Sequence, residues 1–317
     1  MMGGTGDFEV PPPLGPFPVS LAPETPWLPA VGGNPALPPL DPVGPGDLDP
    51  EDLASARAKV STMDLSQLLQ QDEEGDTLLH LLAAQGLRAW AWAVAEAVKG
   101  VGGLEIREHQ GKTPLLVAAA AAQAGIVGDL LVLGAEADAA DQRGRTVLHL
   151  AASYGRPYLL RAVMTSGIQV NVEARNFEGQ TPLHCAVVAP GVTPSARLAC
   201  ITALLRMGAD CTSQDLKSNK TGLHLAVQEG NVSLVDLFLQ HPAAPRLINM
   251  KAHGHTALHM AAALPGSGPR TTLVRLLLAR GADPSARNLE HEQPAHLLPP
   301  GPAAEQIPGL PIAPYPL

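Results

Sequence analysis

The sequence predicts an all-α solenoid of about seven helix–turn–helix repeats with β-hairpin fingers between them, flanked by disordered Pro-rich tails. A six-residue string recurs at nearly constant spacing, alanine-rich runs follow most of its copies, and prolines gather at both ends. Aromatic residues make up only 3% of the chain. Small side chains must therefore fill the space between helices, and no aromatic-lined cofactor pocket is expected.

The recurring string is Gly-x-Thr-x-Leu-His, with four intact copies and three variants. Successive copies are 33 to 40 residues apart. This spacing is close to the roughly 33-residue period of ankyrin repeats, so the chain is predicted to be an ankyrin-repeat solenoid. The third residues of the seven copies, which anchor the repeats, are Thr77, Thr113, Thr146, Thr181, Thr221, Thr256 and Gln293.

Each repeat has signals for two helices and a turn. Threonine is a good N-cap, and Pro114 and Pro182 suit the first helical position, so a helix should begin after each anchor. A second apolar segment then ends in a glycine, such as Gly134 or Gly208, that can adopt the left-handed conformation. About ten residues turn back from there to the next anchor. We call each such segment a finger and give it the number of the repeat whose anchor follows it.

Departures from the common length locate insertions. The distance from the anchor to the closing glycine is larger in repeats four and six, where "APGVTPSARLA" and "LPGSGPRTT" predict a lengthened loop between the two helices. In repeat five, Pro242 replaces the closing glycine, so the chain is expected to leave the second helix in a different conformation. Upstream, residues 51–71 are predicted to form a helical cap over the first repeat. The repeat domain itself is expected to span 72–298.

The two tails have a composition typical of disorder. Residues 1–50 contain 14 of the 32 prolines and no basic residue, and residues 299–317 contain seven prolines. Most of the net negative charge also lies at the N-terminus. Residues 1–52 contain eight of the 30 acidic residues, so the rest of the chain has 22 acidic residues and all 21 lysines and arginines. The nearly neutral charge of the chain after residue 52 argues against nucleic-acid binding by overall charge.

The sequence argues against an enzyme, a cofactor site and a metal site. The three cysteines have no Cys-x-x-Cys spacing, and no paired carboxylates, nucleophile elbow or dinucleotide fingerprint is present. Six of the 11 histidines share one repeat position, where Thr hydroxyls and loop backbone are the expected partners rather than a metal ion. The apolar stretch 115–135 contains Gln123 and Asp129 and predicts two buried helices instead of a membrane span.

Function is then expected on the surface formed by the fingers and first helices. Ankyrin stacks bind partners through an extended concave face, and the fingertips here carry interspersed charges of both signs, which favours protein recognition. Fingers five and six are more basic and suggest contact with an acidic segment or with DNA phosphates. A solvated face without a role is the alternative interpretation of these charges.

Several finger strings, among them "LEIREHQGKTPLLVAAAA", "EARNFEGQTPLH" and "INMKAHGHTALHMAAALP", are not dictated by a generic ankyrin consensus. In these strings residues 70–298 resemble the inhibitor-of-NF-κB family, and most closely its nuclear branch. The resemblance implies binding to NF-κB Rel-homology dimers, preferably homodimers of subunits without a transactivation domain. It implies contact with DNA only through the dimer, and no cofactor.

Two absences favour the nuclear branch. The N-terminal tail has no Asp-Ser-Gly-x-x-Ser string, and Glu305 is the one acid of the C-terminal tail. We therefore expect a protein of the nucleus, also found in the cytoplasm, that is monomeric on its own and has no membrane partner. The alternative is an ankyrin adaptor or scaffold unrelated to NF-κB.

The candidate partner-binding residues lie on the fingers. Arginine and aromatic side chains tend to dominate interfaces, so Arg175 and Phe177 are the expected anchors. Charge reversal at Lys217 together with Lys251 is predicted to weaken binding more at low salt than at high salt. The full candidate set is Arg107, Glu108, His109, Arg143, Arg145, Arg175, Phe177, Lys217, Asn219, Lys220, Lys251 and His253.

Overall fold

The computed structural model describes residues 48–265 and 267–298. The predicted tails, 1–50 and 299–317, lie outside these ranges except for residues 48–50. Leu48 is buried in a small cluster with Leu53 and Trp92, and Asp49 caps the helix that begins at Pro50. Residues 48–50 are therefore part of the packed structure, and the predicted tail boundary at residue 50 is too late.

From residue 48 onward, two helices precede the first repeat: α1 (Pro50–Val60) and α2 (Leu65–Leu69). α1 packs on the second helix of repeat one, α4 (Arg88–Val98), where Leu53 meets Trp92. The Arg57 guanidinium bonds the Glu96 carboxylate at 2.8 Å across the same two helices. These helices occupy the predicted cap range and cover the outer helix of repeat one.

Six helix pairs form two layers. The first helices begin directly after the six threonine anchors, as predicted, and each packs on the next. The second helices form the other layer, in which those of repeats one to four are in contact in order and that of repeat five packs against that of repeat six. The first helices are α3 (Leu78–Gln85), α5 (Pro114–Ala120), α7 (Val147–Ser153), α9 (Pro182–Val188), α11 (Gly222–Gln228) and α14 (Ala257–Ala263). The other second helices are α6 (Ala124–Val132), α8 (Pro157–Thr165), α10 (Pro194–Arg206), α12 (Val232–Gln240) and α15 (Ser267–Ala279).

The second helices end near the glycines that predict their C-termini. Gly134 and Gly208, which follow the second helices of repeats two and four, have φ of 100° and 94°, in the left-handed region that glycine adopts without strain. Repeat five lacks this glycine and instead ends in the short helix α13 (Ala244–Leu247). The seventh copy forms only a 3-10 turn, Pro294–Leu297.

The extra residues of repeats four and six lie mostly in helices, which corrects the predicted loop insertions. Both α10 and α15 have 13 residues, whereas α8 has nine. In repeat four the connection 189–193 is also longer than the 154–156 connection of repeat three. Pro194 and Pro269 did not break these helices, because a proline in the first turn removes an N–H that has no helical partner.

Within the described residues the sixth finger pairs as two strands, and the other fingers turn back with a closing backbone bond, such as Asp141 N–H to the Arg145 carbonyl at 3.1 Å. The strands of the sixth finger are β1 (Lys251–Ala252) and β2 (His255–Thr256), antiparallel and joined by His253 and Gly254 with φ of 47° and 85°. Elsewhere a side chain inside the finger holds the turn. In finger three, for example, the Asp141 carboxylate accepts the N–H groups of Arg143 and Arg145 at 2.9 Å.

The apolar stretch 115–135 forms two helices, α5 and α6, as predicted. No helix within the described ranges is both long enough and apolar enough to cross a lipid bilayer.

Candidate protein-interaction surface

A buried histidine in five of the six helical repeats connects a first helix to the next finger. In repeat four, the Thr181 N–H donates to His184 Nδ1 at 3.3 Å, and the Thr181 hydroxyl lies 2.7 Å from the same nitrogen. His184 Nε2 lies 3.0 Å from the Lys220 carbonyl of the next finger. Because an N–H can only donate, Nδ1 is the acceptor and Nε2 carries the proton. The pattern is a capping box with histidine as its third residue.

The same bridge recurs, which confirms that these histidines are structural. The distances from Nε2 to the finger carbonyl are 3.2 Å for His80, 3.0 Å for His149 and 3.1 Å for His224 and His259. Repeat two has Leu116 at this position. There the Thr113 hydroxyl is buried and has no hydrogen-bond partner among residues 48–265 and 267–298. Of the described fingers that follow a helical repeat, finger three is consequently the one that receives no histidine bridge.

The bridges make the fold sensitive to acid. Burial lowers the pKa of all five bridging histidines, and for His224 to about 4. A lowered pKa means that the folded state binds protons less well than the unfolded state, so stability is full above the unfolded value, 6.5, and is lost as the pH falls. We expect the urea midpoint to drop steadily from about pH 6.5 to about pH 4. A flat profile over this window would contradict the neutral bridges.

A second ladder joins the fingers to one another through one recurrent position. At that position a long polar side chain donates to the backbone carbonyl of the same position on the next finger. Gln71 Nε2 reaches the Arg107 carbonyl at 3.0 Å, and Lys251 Nζ reaches the Arg287 carbonyl at 2.9 Å. We call these contacts finger staples. The staple donors are Gln71, Arg107, Arg175, Gln214 and Lys251.

Finger three has Ala140 at the staple position, and its methyl group cannot donate to the Arg175 carbonyl of finger four. Replacing Ala140 with glutamine, the residue that serves in fingers one and five, is expected to raise the free energy of unfolding by about 1 kcal/mol. Urea unfolding would measure the change. Arg175→Ala opens a second gap in the ladder and should lower stability by a similar amount. A destabilised Ala140→Gln protein would contradict the staple.

The staples account for three of the predicted partner-binding residues. Arg107 and Arg175 each donate from Nη1 to two backbone carbonyls, one in their own finger and one in the next. Lys251 is the third. The predicted anchor Arg175 therefore has its guanidinium engaged within the stack. Its role as an anchor remains a prediction.

Four further candidates are engaged by neighbouring side chains or backbone. The Glu108 carboxylate accepts the Gln110 and Lys112 N–H groups, and Arg145 pairs with Asp141 at 2.7 Å. Burial alone would raise the pKa of Asp141, but bonds from the Arg145 side chain and from two N–H groups lower it overall. Lys217 pairs with Glu178, and Lys220 Nζ bonds Gln228 Oε1 at 2.6 Å. Asn219 has φ of 50° and shapes finger five.

Four candidates remain exposed with side chains that make no hydrogen bond or ion pair in the part of the chain that the structure describes. They are His109, Arg143, Phe177 and His253, one each on fingers two, three, four and six. Phe177 is 73% exposed, although its ring lies over the preceding finger: a β-carbon on Gly144 would come within 2.6 Å of Phe177 Cδ1. The structure brings these four side chains to the fingertips, where a partner can reach them.

Two exposed leucines were missed by the sequence reasoning. Leu216 is 68% exposed and Leu289 is 73% exposed, and they lie over Gly179 and Gly254 as Phe177 lies over Gly144. We call Phe177, Leu216 and Leu289 the fingertip row. Aligning the fingers on their turn residues would have found it, since each member sits two or three residues before that turn. Exposed apolar side chains in one row favour contact with a protein.

The described residues contain no cluster of three or more potential metal ligands. The three cysteines are buried, and burial raises the pKa of Cys185 and Cys211 to about 11 and that of Cys200 to about 12. Neutral, enclosed thiols are poor nucleophiles.

Comparison with known proteins identifies the family. The model "Ankyrin repeats (3 copies)" matches residues 119–215 and 194–288. NF-kappa-B inhibitor delta of Mus musculus is 56% identical over 291 residues, a match that covers 87% of this chain and 86% of the relative. The chain belongs to the ankyrin-repeat inhibitor-of-NF-κB family. The Homo sapiens protein of the same name is 54% identical over 299 residues, covering 89% and 94% of the two chains.

A solved structure from the inhibitor-of-NF-κB family has the same fold. The ankyrin repeat domain of Bcl-3, described as a unique member of the IkappaB protein family, superposes with a TM-score of 0.65 at 32% identity. The match covers 74% of this chain and 98% of that one. Members of the inhibitor-of-NF-κB family built from ankyrin repeats are protein-interaction modules, and no catalytic family is indicated for this chain.

Proposed function

We propose that this protein regulates NF-κB-dependent transcription by binding Rel-homology dimers through its fingers and first helices. The observation that carries the proposal is the identity of 54 to 56% over most of both chains to relatives named NF-kappa-B inhibitor delta. The preferred dimers are homodimers of subunits without a transactivation domain. The protein acts as a monomer in the nucleus, and also occurs in the cytoplasm.

The surface supports recognition of a folded protein. Arg143 and His253 offer polar groups that have no partner among the described residues, and the fingertip row offers apolar area on neighbouring fingers. The finger backbones are held by staples and histidine bridges, so a partner meets a largely preformed surface. DNA is contacted only through the bound dimer.

Fluorescence anisotropy of a labelled κB-site duplex tests the proposal. The duplex is first bound by an NF-κB subunit homodimer, and the full chain is then titrated in. A rise in anisotropy indicates a ternary complex, and a fall to the value of free DNA indicates an inhibitor that removes the dimer from DNA. Both outcomes support binding to the dimer. Unchanged anisotropy, together with no binding to the DNA-free dimer, would favour an unrelated ankyrin adaptor.

Charge reversal at Arg143 is expected to weaken dimer binding about three- to tenfold at low salt and less at high salt, because exposed charges are screened. Arg143 suits this test better than Lys217 or Lys251, which are both engaged within the stack. Arg206→Glu, on the second helix α10, is the matched control and should bind normally. Equal losses for the two variants would contradict the proposed surface.

A further inference from the structure

The same dipeptide, Thr-Pro, occurs three times in the described part of the chain, but only one copy is accessible. Thr113 and Thr181 are 0% exposed, as the buried caps of α5 and α9. Thr193 is exposed, and so are Pro194 and Ser195 after it. Proline-directed protein kinases accept Ser or Thr followed by proline, so the fold leaves Thr193 as the one available acceptor of this kind among residues 48–265 and 267–298.

The backbone and hydroxyl of Thr193 suit an acceptor. The residue lies at the end of the 189–193 connection, in an extended conformation with φ of −62° and ψ of 146°. Its hydroxyl is held weakly, 3.4 Å from the Ala196 nitrogen and 3.3 Å from the Ser195 hydroxyl. By contrast, the Thr181 hydroxyl is 2.7 Å from His184 Nδ1. Entry of the first turn of α10 into a kinase cleft requires only local fraying at the helix end.

We propose that Thr193 is a phosphorylation site for a proline-directed protein kinase. The γ-phosphoryl group of ATP is transferred to Thr193 Oγ1. The bond between the γ-phosphorus and the bridging oxygen breaks, ADP leaves, and the hydroxyl proton passes to the kinase. This site does not depend on the proposed function.

The folded chain can accommodate the phosphate. Thr193 is the N-cap of a 13-residue helix, whose partial positive charge favours an anion. Arg197 lies one turn into that helix. Its Nη2 donates to the Ala189 carbonyl at 2.6 Å, whereas its Nε is buried and has no hydrogen-bond partner in the described structure. The phosphate would add about −1.5 to −2 charges to the rim of the surface formed by the first helices.

The test uses the full folded chain, Mg-ATP and a mitogen-activated protein kinase, followed by tryptic mass spectrometry. One tryptic peptide, residues 176–197, contains both Thr181 and Thr193, so fragment ions compare the two sites in a single molecule. A synthetic peptide of the same residues is the unfolded reference and should be modified at both threonines. The expected result for the folded chain is phosphate on Thr193 and none on Thr181, lost in Thr193→Ala and retained in Thr193→Ser.

Three results would overturn the proposal. The first is a folded chain left unmodified at Thr193 while the synthetic peptide is modified. The second is phosphate confined to Thr25, which precedes Pro26 outside the described residues. The third is equal modification of Thr181 and Thr193, which would mean that the kinase acts on unfolded chains. The phosphorylated chain should melt at the same temperature as the unmodified chain or higher, and a lower melting temperature would contradict accommodation at α10.

Discussion

Replacing His184 with leucine is expected to lower the free energy of unfolding by about 2–4 kcal/mol. The side chain is 1% exposed and satisfies the Thr181 N–H, the Thr181 hydroxyl and the Lys220 carbonyl. Leucine fills similar space but leaves these groups buried without partners. Each unpaired buried group costs about 1–3 kcal/mol, and relaxation recovers part of that cost. Urea unfolding followed by circular dichroism would measure the loss.

Repeat two provides the control for this substitution, because it already contains a leucine at the histidine position. Thr113→Val there removes a hydroxyl that has no partner, so the change should be neutral within about 0.5 kcal/mol or slightly stabilising. Thr181→Val, in contrast, removes a bonded hydroxyl and should destabilise. Equal effects of Thr113→Val and Thr181→Val would show that the bridge contributes nothing.

Replacing Asp129 with alanine is expected to destabilise the protein by about 3 kcal/mol. Its carboxylate on α6 accepts the Arg88 guanidinium of α4 at 2.6 and 2.9 Å, and the two side chains are only 3% and 17% exposed. Removing one partner of a buried pair leaves the other charge poorly solvated. Hydrogen exchange should show that the loss opens α4 and α6 before the later repeats.

An exposed pair of the same kind provides the comparison. Asp236 on α12 pairs with Arg280 at 2.8 Å, but their side chains are 40% and 35% exposed. Solvent screens such a pair, so Asp236→Ala should cost no more than about 0.5 kcal/mol. If both alanine variants lost the same stability, burial would not be the reason for the effect at Asp129.

Much of the fold was predictable because every repeat encodes its own boundaries. Thr146 and Thr181 mark where helices begin, and glycines such as Gly134 mark where they end. The loop predicted in repeat six is wrong, because the helix begins at Ser267 within "LPGSGPRTT" and Pro269 fits its first turn. The composition of a segment does not by itself say whether its proline lies in a loop or at a helix start.

The interaction surface was less predictable than the fold. The candidate Arg175 donates to two backbone carbonyls of the stack. The sequence alone does not distinguish an arginine that is bonded within the fold from one whose guanidinium is available to a binding partner. Leu216 and Leu289 were overlooked because isolated leucines carry no charge or periodicity. Phe177 was predicted as an anchor, and the structure places it at an exposed fingertip.

Finger three lacks one tie of each kind: Leu116 provides no bridge to it from α5, and Ala140 provides no staple from it to finger four, although it receives the Arg107 staple. When a row of connected fingers is deformed, the finger with the fewest connections is displaced most. Finger three, which lacks one tie on each side, should therefore be the finger that moves most when the array adjusts to a partner of slightly different curvature, whereas the His149 bridge still holds finger four. Arg143 lies on finger three, so the position of its guanidinium can change while the flanking fingers keep their shape.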